Sequence, residues 1–377
     1  MKRALVICAM GLSLLAFKPK TGDKSYEDLR PHMRAVYQSL MNIFPFAVSR
    51  EAFVDKKNEK LIEDNLKLIA EHAKLIDAVV AKDEKGHAFL SQQLLRNASL
   101  ASLRYKSGHP EQAQFYVEEM YDTCLSCHTS RGSSSDSAFT MDFPKDVKPE
   151  ALGTLGKARF LALSRQFEKA MDEYERLFAS GELSLEDLLH YDPFVDYMLL
   201  ALRVKDDRPR LIKTFSTLKL ENYPVMIRHD LSAWVEALKK IKPKPAKLSE
   251  LDYAKQLIHS AQSVAEYPRD RSGLVYYIYG SRALRDYLKN TELAKPLKAE
   301  AYYQLGVCEL GIGVPYLPTE SGLYFEESIR LAPHSNFSKK AFALYEEGLL
   351  FGYSGSSGLH LPDDEKQKLE ELRKLVF

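Results

Sequence analysis

The sequence predicts an all-α protein in two parts: a four-helix bundle over residues 24–132, and a helical region over residues 150–377 built as an α-solenoid or as an irregular helical domain. Three observations predict it. Apolar residues recur at helical spacing through nearly the whole chain, and strand-like alternation is almost absent. Clusters of Gly, Pro and Ser cut that pattern into helix-sized pieces. With 377 residues and 45% hydrophobic content, the chain is long enough for two domains, or for one domain plus a repeat array.

Before the first helix, Met1-Lys2-Arg3 precedes a run from Ala4 to Phe17 in which Ser13 is the one polar residue. A charged start and a short apolar core read as a secretory signal over residues 1–20. The run is shorter than the ~20 residues of a spanning helix. Lys18 and Lys20 follow without a clean cleavage site, so an uncleaved anchor stays open. Cys8 falls inside this segment and leaves with it if the signal is removed.

Four apolar-periodic segments follow. The first spans about Ser25 to Phe44, with Met33, Tyr37, Leu40, Met41 and Phe44 on one face, and Pro45 is expected to end or kink it. The second, about Asn58 to Val80, places Leu61, Ile62, Leu66, Ile69, Ala73 and Ile76 on its buried side. The third, about Lys85 to Lys106, offers Phe89, Leu90, Leu94, Leu100 and Leu103 for packing. Gly108-His109-Pro110 punctuates the chain and starts the fourth, which carries Phe115, Val117, Met120 and Tyr121 and dissolves at Gly132.

Near the end of that fourth segment stands Cys124-Leu125-Ser126-Cys127-His128, a C-x-x-C-H pentapeptide. Two thiols three apart can add across the vinyl groups of a porphyrin, and the adjacent imidazole then sits under the iron; this spacing is the signature of covalent c-type haem attachment. Half of a zinc site is the competing reading, but zinc needs further ligands, commonly a second closely spaced pair. The other cysteine beyond the signal, Cys308, is alone and remote. A redox dithiol is expected after a strand in a βαβ pattern, and that context is missing. Two cysteines committed to thioethers and one left over give no disulfide framework, although attachment of this kind is made outside the cytoplasm. The expected address is a bacterial periplasm.

Four helices with C-x-x-C-H on the last one resemble the class II cytochromes c, the cytochrome c′ family and its low-spin relatives, over residues 24 to 132. The resemblance implies a four-helix bundle carrying one c-type haem, bound covalently through Cys124 and Cys127 with His128 as the proximal iron ligand. In that family the first helix faces the other side of the haem. Met33 falls near the family's methionine position and is the candidate distal ligand; Met41 and His32 rank behind it. Core filling is the competing role of both methionines. A thioether ligand raises the reduction potential of haem iron. The family also places a basic residue one turn after the motif histidine, and Arg131 departs from that position by one. Family members often pair through bundle helices, so a homodimer is one implied state. His72, His87 and His109 read as surface or capping residues.

Residues 133–149 read as a linker of serines, prolines and charged spacers. Beyond it, Tyr276, Tyr279 and Gly280 repeat in spacing as Tyr302, Leu305 and Gly306, a pattern that lets one helix pack closely on the next. Ser321, Phe325, Ser328 and Pro333 fit a second helix and its end. These resemble degenerate tetratricopeptide repeats, although the twenty-six residues from Tyr276 to Tyr302 fall short of the standard thirty-four. Leu152 to Ser164 and Phe167 to Ser180 read as an earlier pair, Pro243-Lys244-Pro245 divides the region near 242–247, and Asp363-Asp364 opens a closing helix. Cys308 reads as a buried, inert thiol.

Fifty-three basic residues against fifty-two acidic ones, spread through helical patterns, give no nucleic-acid footprint and no polybasic membrane patch. The expected function is electron transfer in the periplasm, with the helical region docking a redox partner protein. The alternative is a haem-based gas or redox sensor with five-coordinate iron. A haem peroxidase needs a distal acid or base that the sequence does not single out, so an enzyme is not expected.

Overall fold

The computed structural model describes residues 24–47, 49–80, 88–130, 152–190, 192–267, 270–313, 320–356 and 358–377. The expected signal, the linker 133–149, His87 and Arg131 lie outside them. The described residues are all-α apart from one pair of two-residue strands, Ser354–Gly355 and Gly358–Leu359, joined antiparallel.

The first section comprises α1 (Lys24–Ala47), α2 (Arg50–Val54), α3 (Glu59–Val80), α4 (Ala88–Lys106) and α5 (Pro110–Ser130). Pro45 does not end α1, which runs on to Ala47 with Pro31 and Pro45 both inside it. A proline that late removes a hydrogen bond only from the final turn, where the helix has little left to lose. The chain restarts at once, because the Ser49 hydroxyl accepts from Ala52 N and caps α2. This short helix seats Phe53, fully buried edge-on to Tyr105, whose hydroxyl donates to Phe53 O at 3.3 Å.

Helices α1, α3, α4 and α5 share one core of Val36, Leu40, Ile43, Ile62, Leu66, Ile69, Leu94, Ala98, Val117 and Met120 with their neighbours. On α3 the buried row is Ile62, Leu66, Ile69, Ala73 and Ile76, alternating steps of four and three. Leu61, expected in that row, is 42% exposed; it belongs to an outer row with Leu68 and Leu75, at 43% and 45%. Leu103, expected to pack, is likewise exposed.

The second section runs through α6 (Gly153–Leu163), α7 (Phe167–Ser180), α8 (Leu185–His190), α9 (Pro193–Leu199) with its π-helical continuation Leu200–Lys205, α10 (Arg208–Ser216), α11 (Val225–Lys240) and α12 (Glu250–Val264). It continues through α13 (Leu274–Leu288), α14 (Lys295–Ile312), α15 (Glu320–Leu331), α16 (Asn336–Gly352) and α17 (Asp363–Val376). Every residue from Pro193 to Val204 is buried, so α9 and its continuation form a central rod rather than an amphipathic surface helix. Arg203, deep in that rod, pairs with Glu309 at 2.6 Å and donates to the Ser281 hydroxyl. From α12 to α16 each helix packs on its chain neighbours. The glycines serve close approach as expected: a Cβ on Gly306 would lie 2.5 Å from the Phe325 ring, and one on Gly280 would lie 3.1 Å from Cys308 Sγ.

Besides that core of its own, the first section packs against the second. Tyr121 and Leu125 of α5 are buried in one cluster with Phe167, Tyr174, Phe194 and Trp234. Met41 and Phe44 of α1 pack with Leu152 and Phe160. The far end also returns to the first section, where Arg96 of α4 meets Glu365 of α17 at 3.2 Å.

Candidate functional site

Helix α5 places Cys124, Cys127 and His128 at i, i+3 and i+4, which stacks them on one face over its last turns. Pro110 fixes the start of that helix. Thr129 ties its hydroxyl back to Leu125 O at 2.8 Å, holding the turn that carries the motif. All three motif side chains are half-buried. Burial pushes the Cys124 thiol up to about 12, with Cys127 and Asp122 adding to the effect. A resting dithiol nucleophile needs the opposite, an electropositive setting that lowers the thiol.

Cys124 and His128 line an apolar cleft whose opposite wall is α1, through Met33, Val36, Tyr37, Leu40, Met41 and Phe44. Leu94 of α4, Val117, Glu118 and Tyr121 of α5, and Arg159 and Leu163 of α6 complete it. The cavity of the cleft is about 70 Å³, below the range of sites that hold a drug-sized molecule. The donor set suits a haem: two thiols and an imidazole on one helix face, two thioethers on the helix opposite, and apolar walls between. A macrocycle there requires the side chains of α1 and α5 to part around it.

Met33 and Met41, four and three residues from the cleft-lining Tyr37 and Phe44, thus reach the same space as His128, as their spacing on α1 implies. Met33 is half-buried and Met41 almost completely so. His32 does not. It turns toward α3, where its Nδ1 lies 3.1 Å from His72 Nδ1 and the ring centroids are 5.3 Å apart. His72 is correspondingly an interhelical contact, not a free surface residue. His109 occupies the α4–α5 turn, its backbone N donating to Arg104 O.

Behind the cleft lies a polar cluster that spacing alone did not reveal. Tyr121 and Tyr174 donate their hydroxyls to Asp196 Oδ2 at 3.1 and 2.9 Å. The two phenol oxygens are 3.4 Å apart. The Arg159 guanidinium lies 3.6 Å from the centre of the Tyr121 ring, 3.8 Å from Asp196 and 3.7 Å from the exposed Asp122. Burial raises Asp196 to about 7 despite Arg159, which pulls it down. Burial also raises Glu119 of α5 to about 7, with Asp122 and Glu118 contributing. The signal for this cluster was present: Arg159 is the one charge in Ala158–Leu163, and Asp196 the one charge in Phe194–Val204 before Arg203. Lone opposite charges in two apolar runs read as partners buried together.

A second group, His229, Asp230 and Asp270, brings its ligand atoms within 4.8 Å of one another. Asp270 is already occupied there, accepting from Glu266 N and Ser272 N at 2.7 and 2.8 Å. Among the described residues no helix is long and apolar enough to cross a membrane. No family model, no curated protein and no solved structure matches this chain.

Proposed function

We propose that this chain is an exported c-type cytochrome of the class II kind, a four-helix haem bundle on α1, α3, α4 and α5 followed by a tetratricopeptide-like helical region, and that it carries electrons in the periplasm. The observation that carries the reading is the convergence of C-x-x-C-H, on the last turns of α5, with Met33 and Met41 in one apolar cleft. Cys124 and Cys127 form the thioethers and fix the macrocycle to α5. His128 would hold the iron from α5 and Met33 from α1, with Met41 the weaker candidate on the same face of α1. When bound, the haem supplies a one-electron couple. The apolar walls of α1 exclude water from that couple, and a thioether on the distal side favours its reduced state. The second section docks the redox partner.

A haem sensor is the second reading, and one observation favours it: Arg159 and Leu163 of α6 form part of the cleft wall. An event at the iron would press directly on the second section.

The test is expression in a periplasm equipped for c-type maturation, followed by haem staining after denaturing electrophoresis. The full chain should stain and Cys124→Ala with Cys127→Ala should not; staining of the double variant overturns the reading. Ferrous spectra with carbon monoxide then separate the two functions. A Met33-ligated iron resists the gas, whereas immediate uptake supports the sensor.

A further inference from the structure

We propose that Asp196, held between Tyr121, Tyr174 and Arg159 behind the cleft, takes up one proton from solvent when the haem accepts an electron and releases it on oxidation. The inference rests on the haem reading and adds to it a coupling between electron and proton.

The geometry carries it. Tyr121 has two contacts: it lines the cleft, and its hydroxyl donates to Asp196 Oδ2 at 3.1 Å. Asp196 is therefore one hydrogen bond removed from the wall against which the haem would lie. Its side chain is 8% exposed, as is fitting for a group shielded from the screening that water gives a surface carboxylate. The groups facing it are Tyr121 and Asp122 from α5, Arg159 from α6, Tyr174 from α7 and Asp192 from its own helix cap. One buried cation thus faces one buried carboxylate and the rim carboxylate Asp122. An electron added to the cleft makes a second negative charge near Asp196 harder to hold. A proton on Oδ1 cancels it, while both phenols keep their bonds to Oδ2.

The balance closes with one electron from a reduced partner protein and one proton from solvent entering together, and with both leaving on oxidation. The sign follows. Oxidised iron favours the ionised carboxylate and reduced iron the neutral acid, so the reduction potential falls as pH rises through the range around 7 where Asp196 titrates. Full coupling of one proton to one electron gives about 59 mV per pH unit, the value of a tenfold change for a one-electron couple.

The experiment is a spectroelectrochemical titration of the full-length holoprotein between pH 5 and 9, with dithionite as reductant. The absorption spectrum is recorded first, so that absence of a covalent haem spectrum counts against the proposed function and is not confused with this inference. With haem present, wild type should show the sloped segment and Asp196→Asn a flat one. Tyr174→Phe removes a hydrogen bond that favours the carboxylate, so its sloped segment should move to higher pH. This second variant keeps the proposal testable if the asparagine variant folds poorly. Proton uptake on reduction, read by an indicator dye in weak buffer, should peak above pH 7, where oxidised protein holds Asp196 ionised, and vanish in Asp196→Asn. Glu119, the other carboxyl raised to about 7, is the competitor. Glu119→Gln should retain the slope. A flat wild-type profile, a slope surviving in Asp196→Asn, or a slope lost in Glu119→Gln overturns the proposal.

Discussion

Gly306 shows how much a single missing side chain decides. Its helix α14 comes so close to α15 that a Cβ would lie 2.5 and 2.6 Å from two atoms of the Phe325 ring, and Phe325 is itself 1% exposed. A ring with no room to retreat turns one methyl group into overpacking, which costs about 1–3 kcal/mol. Gly306→Ala should therefore lower the free energy of unfolding by that amount, read by equilibrium unfolding in urea. Gly348, around which a Cβ would meet nothing within 4 Å, is the control, and its alanine variant should be neutral or slightly stabilising. The role of Gly306 was legible because an aromatic residue, a large apolar residue and a glycine recur at fixed offsets. Asp196 was harder to read. Its burial is set by α5, α6 and α7, whose relevant residues lie up to seventy-five positions away. Only the oddity of a carboxylate among Phe194, Val195, Tyr197 and Met198 pointed to it.

Among the elements, α3 separates what periodicity can and cannot tell. Two apolar rows run along it, one of Ile62, Leu66, Ile69, Ala73 and Ile76 and the other of Leu61, Leu68 and Leu75. Both keep helical spacing, so the sequence shows that the helix is amphipathic yet leaves the edge of its buried face open. Packing against α1 and α4 decides it in favour of the first row. Ile69→Ala should cost about 2–5 kcal/mol, as for a core aliphatic truncated to alanine, whereas Leu68→Ala should stay within about 0.5 kcal/mol. Equilibrium unfolding in urea measures both; equal costs would mean that the outer row is covered by another surface. Helix α2 was beyond the reach of periodicity altogether, since five residues give little more than one turn. Its one local clue is Ser49, three positions before the backbone N–H it caps. On α5, by contrast, the face shared by Cys124, Cys127 and His128 follows from the motif and the helix alone, and on α1 the same arithmetic brings Met33 and Met41 to one side.

At the scale of the whole molecule, the serine- and proline-rich composition of 133–149 suggests a seam, and that stretch lies outside the described residues. Composition says nothing of what the flanking helices do to each other. Tyr121 and Leu125 are 4% and 2% exposed because α6, α7 and α9 cover them, and Met41 and Phe44 are 1% and 7% exposed with Leu152 and Phe160 against them. A fragment of residues 24 to 140 would bare Met41, Phe44, Tyr121 and Leu125 and lose the wall that Arg159 and Leu163 supply to the cleft. Each large apolar side chain returned to water costs about 1.5–3 kcal/mol, so losing four such contacts is comparable with the entire stability of an ordinary domain. The fragment should therefore fail to reproduce the spectrum of the full chain, or reproduce it only with a much lower unfolding midpoint. Expressing it in the periplasm beside the full chain and comparing haem content, ferrous spectrum and thermal unfolding checks this. A fragment that matches the full chain in all three would show that the contacts of α1 and α5 with the second section add nothing to the first, and that its own core is sufficient.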